Sequence, residues 1–129
     1  MAVFGINPPT APAPIGAYSQ AILTSGSGRY LHISGQIGLR LDGSLAQDFA
    51  GQADAAWANI AAILEAAQMN ASNLIKVVTY VTDASCVQQL GPIRLKYLGD
   101  NRPAATLVVV KSLIKPEWLI EVEAVAFKE

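Results

Sequence analysis

The sequence predicts an α+β domain in which a β-sheet carries two helices on one face. Three observations support this fold class: two β-rich runs around an early Gly/Ser turn, one long helical pattern, and later β-branched runs that alternate with a second helical segment. The predicted order is ββαβαββ. Strands and helices are too interleaved in this order for a helical bundle, and hairpins are too frequent for a doubly wound parallel sheet.

The first three elements follow from turn residues and periodicity. Strands are predicted at 20–25 and 29–37, joined as a β-hairpin by the turn "SGSG". The run 49–68 predicts a helix, because its apolar residues recur at helical spacing in alanine-rich surroundings. These apolar residues are Phe49, Ala53, Trp57, Ile60, Leu64 and Ala67.

The second half of the chain predicts four more elements. Residues 74–81 are short and rich in β-branched side chains, which is typical of a central strand. A second helix is predicted within 85–98, where Pro92 allows either a kink or a start near that residue. The last two strands are predicted at 105–113 and 117–127.

Two of the predicted strands are apolar on both faces. Two helices cover only one face of a sheet, so residues 74–81 and 105–110 require a second cover. We expect other copies of the chain to provide it. The high apolar share of 52%, against 15% charged residues, supports the same expectation.

Composition excludes several classes of function. A length of 129 residues suits one domain spanning 1–129, and the net charge of −1 is spread in both signs, so no nucleic-acid partner is expected. No apolar run is long enough for a membrane span, and the first residues lack the features of a signal peptide, which predicts a cytoplasmic protein. Cys86 is the single cysteine, and no intrachain disulfide can form.

Metal and phosphate chemistry find no support in the sequence. His32 is the single histidine and alternates with apolar neighbours in a strand-like run, far from Cys86. The "SGSG" turn lacks the lysine of a phosphate-binding loop. We expect neither a bound metal nor a cofactor.

Five segments together resemble the Rid family, also called the YjgF or L-PSP family. They are "APIGAYSQA", "ISGQIG", "VTYVTD", "RPAAT" and "IEVEAVA", in the family's order and spacing over nearly the whole chain. The resemblance implies a chorismate-mutase-like fold that assembles as a trimeric barrel, with ligand clefts between subunits. It also implies hydrolysis of reactive enamines and imines to 2-keto acids and ammonia, without a cofactor.

One departure from the family pattern concerns the segment "RPAAT". The family's deaminases carry an arginine where this sequence has Ala105. A guanidinium binds a carboxylate bidentately, so a methyl group at this position forfeits the anchor for an imino acid. The resemblance places Ala105 and Thr106 at the ligand.

The resemblance also implies roles for residues in the first segments. Tyr18 matches the family's cleft tyrosine, whose hydroxyl binds ligand or orients water, although a tyrosine beside a strand is also a common packing residue. Ser34 and Gly35 match the segment that faces the cleft. A bulge or turn that needs Gly35 for its dihedral angles is the structural alternative.

The last predicted strand carries two carboxylates on one face. Glu121 and Glu123 alternate with apolar residues, so both side chains point to the same side. Glu121 matches the family's glutamate that positions the hydrolytic water. A pair of glutamates on a solvated edge is the alternative.

Three functions are therefore open. The first is a ligand-binding trimer whose deaminase activity is absent or altered. The second is an active deaminase that uses another cation, for which Arg40, Arg102 and Lys111 are the candidates. The third is an endoribonuclease, as the family name L-PSP implies, but a near-neutral chain with one histidine argues against it.

Overall fold

A computed structural model describes residues 3–129, so the first two residues of the predicted domain lie outside the description. It contains six strands and two α-helices in the order βββαβαββ. The strands are β1 (Val3–Ile6), β2 (Ala21–Thr24), β3 (Arg29–Ile37), β4 (Leu74–Val81), β5 (Ala104–Val109) and β6 (Ile120–Lys128). The α-helices are α1 (Phe49–Ala66) and α2 (Val87–Leu98), and single 3-10 turns precede β4 and α2.

The main sheet has four strands in the order β3-β6-β4-β5. β6 is antiparallel to both of its neighbours, and β4 is parallel to β5, with α2 as the crossover between them. The helices bury one face of this sheet, where Trp57 and Ile60 of α1 lie in the same core as Val77 and Val81 of β4. The predicted α+β fold with two helices over a sheet is confirmed.

The prediction that β2 and β3 pair with each other as a hairpin is wrong. β2 pairs with β1, in register from Val3 opposite Thr24 to Ile6 opposite Ala21, while β3 pairs along its length with β6. A four-residue strand within a proline-rich lead-in carries too little periodicity to be predicted. The Thr24 and Tyr30 hydroxyls, 2.7 Å apart, still link the two segments across the turn.

Local signals set the helix ends. Asp48 caps α1 by accepting a hydrogen bond from the Gly51 N–H at 2.8 Å. α2 begins at Val87 and continues through Pro92, so the alternative that the helix starts near the proline is wrong. Gly99 ends α2 in the left-handed region, with φ of 57°.

Gln52 of α1 is a buried polar side chain that joins the helix to two loops. Its Nε2 donates to the carbonyls of Ala46 and Glu117, both at 3.0 Å, and its Oε1 accepts from the Leu119 N–H at 2.8 Å. Gly38, just after β3, lies directly against it, since a Cβ there would be 2.6 Å from the Gln52 Cα. Gln52 therefore fixes the loop that leads into β6.

Among residues 3–129, neither helix combines the length and the apolarity that crossing a bilayer requires. The same residues contain no group of three His, Cys, Asp or Glu side chains that could hold a metal ion.

Candidate functional site

The first half of the site forms where the lead-in segment, residues 7–20 between β1 and β2, is attached to β5. The Ser19 N–H donates to the Pro103 carbonyl at 3.2 Å, and the Ser19 hydroxyl donates to the Arg102 carbonyl at 2.5 Å. Ser19 itself is buried. These bonds hold the neighbouring Tyr18 beside the start of β5.

A cavity of about 490 Å³ opens at this junction. Tyr18, Ala105 and Thr106 line it together, and α2 contributes Arg94 to its wall. The Tyr18 hydroxyl accepts a hydrogen bond from the Ile15 N–H at 3.3 Å, which keeps the ring along the cavity wall. We call this space the Tyr18–Ala105 cavity.

Arg94 is a polar residue of this cavity that sequence reasoning missed. Its Nε and Nη2 atoms are buried and have no hydrogen-bond partner within residues 3–129. Burial, and secondarily the charge of Arg102, lowers the pKa of the Arg94 guanidinium. Among the described residues the one ion pair joins Lys96 to Asp54, so none of their carboxylates forms an ion pair with Arg94.

A sequence signal for Arg94 was present. It lies four residues after Leu90 and four before Leu98, and both leucines are buried. Residues at this spacing share one face of a helix. An arginine within the apolar stripe of an amphipathic helix is unusual and indicates a special environment.

The three cations predicted as replacements for the missing arginine lie elsewhere. Arg102 donates through Nη1 to the carbonyls of Gly99 and Asn101, at 2.7 and 2.9 Å, where it caps the end of α2. Arg40 lines a separate cavity against α1, and Lys111 is exposed beyond the end of β5.

The second half of the site lies around the predicted Ser34–Gly35 segment. The register of β3 against β6 shifts between Ile33 and Gln36, so Ser34 and Gly35 form a bulge. Gly35 does not have a positive φ, and its need for glycine is one of space. A Cβ at Gly35 would lie 2.0 Å from the Glu121 Oε2.

Glu121 and Glu123 share one face of β6, as predicted, and Tyr80 of β4 lies beside them. The Tyr80 hydroxyl donates a hydrogen bond to the Glu123 carboxylate. This bond, followed by burial and the carboxylate charges of Glu123 and Glu121, raises the pKa of Tyr80. The three side chains line a second cavity of about 460 Å³, which residues 112–114 close.

The two halves lie on opposite faces of the sheet within one chain. Ala105 pairs with Val77, which is buried on the helix side, so its methyl group points to the helices. Glu121 pairs with Tyr80 on the other side. Tyr18 and Ala105 therefore meet Glu121 only if a second chain contributes one of the halves.

The fold and these half-sites define a small α+β protein with one cavity on each face of its main sheet. Residues 8–128 match the family model described as Endoribonuclease L-PSP, and the chain belongs to this family, whose members include the Rid and YjgF proteins. The resemblance found in the sequence motifs is confirmed.

Three relatives illustrate the match. A RutC family protein of Pyrococcus horikoshii is 39% identical, over 92% of this chain and 93% of its own. The 2-iminobutanoate/2-iminopropanoate deaminase of Rattus norvegicus is 36% identical, over 94% of this chain and 87% of its own. A crystal structure of a Rid family protein of unknown function from Yersinia pestis superposes with a TM-score of 0.86 at 31% identity, covering 98% of both chains.

Proposed function

We propose that the protein is a homotrimer that binds a small molecule in clefts between its subunits. We also propose that the 2-imino acid deaminase activity for which its rat relative is named is absent or altered in this protein. The observation that carries this proposal is Ala105. It lines the Tyr18–Ala105 cavity at the position where the motif resemblance implies an arginine.

The chemistry of the cleft follows from its remaining groups. Hydrolysis of an imine adds water to the carbon of the C=N bond, and the nitrogen then leaves as ammonia while the carbon becomes a carbonyl. The Glu121 carboxylate can orient that water and accept its proton, and the Tyr18 hydroxyl can hold the ligand. The carboxylate of a short imino acid, however, finds no guanidinium at Ala105.

Assembly is needed to complete such a cleft. Tyr18 and Ala105 lie on one face and Gly35 and Glu121 on the other, so a contact between two different patches of neighbouring copies would join them. Interfaces of this type close into rings when the rotation between neighbouring copies closes, as three copies related by 120° do. The edge strand β5 supports this arrangement, because its residues 107–109 are each more than a third exposed despite being apolar.

The second candidate function is an active deaminase for a specialised substrate. Arg94 favours it, because this arginine, whose Nε and Nη2 have no hydrogen-bond partner among residues 3–129, lines the same cavity as Ala105.

The deaminase assay tests the altered activity. We expect kcat/KM for 2-iminobutanoate, generated in situ, to be at least about tenfold lower than for the rat deaminase, since each lost hydrogen bond to a charged group costs roughly 1.5 to 3 kcal/mol. Release of 2-oxobutanoate is the readout. Rates equal to those of the rat enzyme would refute the proposal.

The assembly is tested by light scattering. At micromolar concentration we expect three times the chain mass of 13.6 kDa. A monomer under these conditions would contradict the cleft between subunits.

A further inference from the structure

We propose that the ligand of the cleft is a neutral molecule whose hydrocarbon group lies in an apolar groove along α2. The ligand class is a ketone or aldehyde without a carboxylate, or the imine that such a carbonyl compound forms with ammonia. This inference rests on the function proposed above, because it names the chemical class that the same cleft binds.

The first support is the groove itself, which adjoins the Tyr18–Ala105 cavity. It has a volume of about 340 Å³ and runs between α2 and the lead-in segment at Gly16. Leu90, Leu95 and Leu98 form its α2 wall, and Leu107 of β5 also lines it. We call it the α2 groove. Its size and apolar lining are those of a site that buries the hydrocarbon part of a small ligand.

The second support is the exposure of two leucines in this wall. Leu95 is 44% exposed and Leu107 is 38% exposed, although both side chains are large and apolar. Adjoining apolar side chains that remain exposed mark binding grooves. A hydrocarbon group between these two leucines would shield both from water, and this gain favours its binding.

The third support is that the α2 groove continues into the Tyr18–Ala105 cavity. The residues that line both spaces are Gly16, Ala17, Val87, Arg94 and Leu107. The methyl group of Ala105 takes up little of the shared space, whereas a long side chain there would fill it. At the cavity end, the hydroxyls of Tyr18 and Thr106 can each donate one hydrogen bond to a carbonyl or imine group.

The fourth support concerns charge, since no cation among residues 3–129 offers two donors to a carboxylate in this space. Both edges of a guanidinium that bind a carboxylate through two donors include Nη2. In Arg94 the Nε and Nη2 atoms are inaccessible, so both edges are closed to a ligand. Lys76 lies in neither wall, and its Nζ donates to the Thr106 hydroxyl at 3.2 Å. A neutral carbonyl group needs only the single donors that the cavity has.

Calorimetric titration of the wild-type protein with a matched pair of ligands tests the neutral class. The probes are 4-methyl-2-pentanone and 4-methyl-2-oxopentanoate, which differ only in the methyl group or the carboxylate on the carbonyl carbon. We expect the ketone to bind at least about tenfold more tightly, because a carboxylate would lose its hydration without gaining a paired donor. Equal affinities, tighter binding of the acid, or failure of the ketone to bind would each overturn the inference.

Chain length and a substitution in the wall test the α2 groove. Each additional buried carbon contributes roughly fourfold in affinity, so 4-methyl-2-pentanone should bind at least about tenfold more tightly than 2-butanone. Leu95→Gln should reduce this preference without weakening 2-butanone. Leu41→Gln is the matched control, since Leu41 is exposed and lines a separate cavity, and it should keep the wild-type preference. An unchanged preference in Leu95→Gln would refute the groove as the site of the hydrocarbon group.

Light scattering and thermal unfolding of ligand-free Leu95→Gln separate a ligand site from a subunit contact. If only a ligand covers this exposed leucine, the variant should keep the mass of the wild type and a Tm within about 2 °C of it. A smaller mass, or a larger fall in Tm, would mean that a neighbouring subunit fills the α2 groove. That result would overturn the inference.

Failure of this inference is distinguishable from failure of the proposed function. The deaminase activity is judged by rates with 2-iminobutanoate and the assembly by the mass of the wild type, while the ligand class is judged by equilibrium binding. A trimer as active as the rat deaminase that still prefers the ketone would refute the loss of activity and support the ligand class. A trimer of low activity that prefers the acid would do the reverse.

Discussion

Arg94→Gln combined with Ala105→Arg is expected to raise kcat/KM for 2-iminobutanoate at least about tenfold. The double variant moves the cation of the cleft from α2 to β5, where the motif resemblance places it in the family's deaminases. Gln at 94 removes a like charge that would oppose the new guanidinium in the same cavity. The readout is release of 2-oxobutanoate from imine generated in situ.

Glu121→Gln in that double variant is the catalytic control. Gln keeps the shape of the side chain but cannot take a proton from water, so the gained activity should fall by roughly 10²- to 10⁴-fold. The longer side chain introduced by Ala105→Arg is expected to lower the free energy of unfolding by about 1 to 3 kcal/mol through overpacking. The Tm will measure this loss, and light scattering will show whether the trimer persists. A folded trimer with no gain in rate would show that a single displaced arginine does not explain the divergence.

Gln52→Leu is expected to lower the free energy of unfolding by about 3 kcal/mol or more. Leucine has similar volume but removes three hydrogen bonds, to Ala46, Glu117 and Leu119. Each buried backbone group left without a partner costs roughly 1 to 3 kcal/mol. Urea denaturation at one fixed protein concentration measures the change, because assembly contributes to apparent stability.

The matched variant for this measurement is Gln47→Leu. Gln47 is exposed, and within residues 3–129 its side chain bonds only to the Leu45 carbonyl, at 3.2 Å, so its replacement should change the free energy of unfolding by less than about 0.5 kcal/mol. Coincident denaturation curves for the two variants would show that Gln52 does not hold the loop before β6.

Elements with strong periodicity were predictable from the sequence. Helix α1 begins at Phe49 as predicted and ends two residues earlier than expected, and β4 matches the predicted 74–81. Both elements have apolar or β-branched residues at a regular spacing, so neighbouring residues are enough to predict them. β1 was missed because four largely exposed residues just before a proline-rich segment give no such pattern, and the partner of β3 was missed because β6 is remote in sequence.

The motifs mark residues that the fold brings together in two places. Tyr18, Ala105 and Thr106 line one cavity, and Glu121 lies against Gly35, while their roles toward a ligand stay a prediction. Arg94 was missed because it lies outside the matched motifs, and its significance comes from an environment that three separate segments create. The reason for glycine at 35 was also missed, since a contact with a distant strand requires the tertiary structure.

The position of β6 has a consequence for how the chain is made. β6 forms the middle of the main sheet, yet it follows β3, β4 and β5 in the sequence. During synthesis the ribosome releases β3, β4 and β5 before the strand that joins them. β3 and β4 therefore each lack their common partner until β6 emerges, and their exposed edges are the surfaces on which a chaperone would act in the interval.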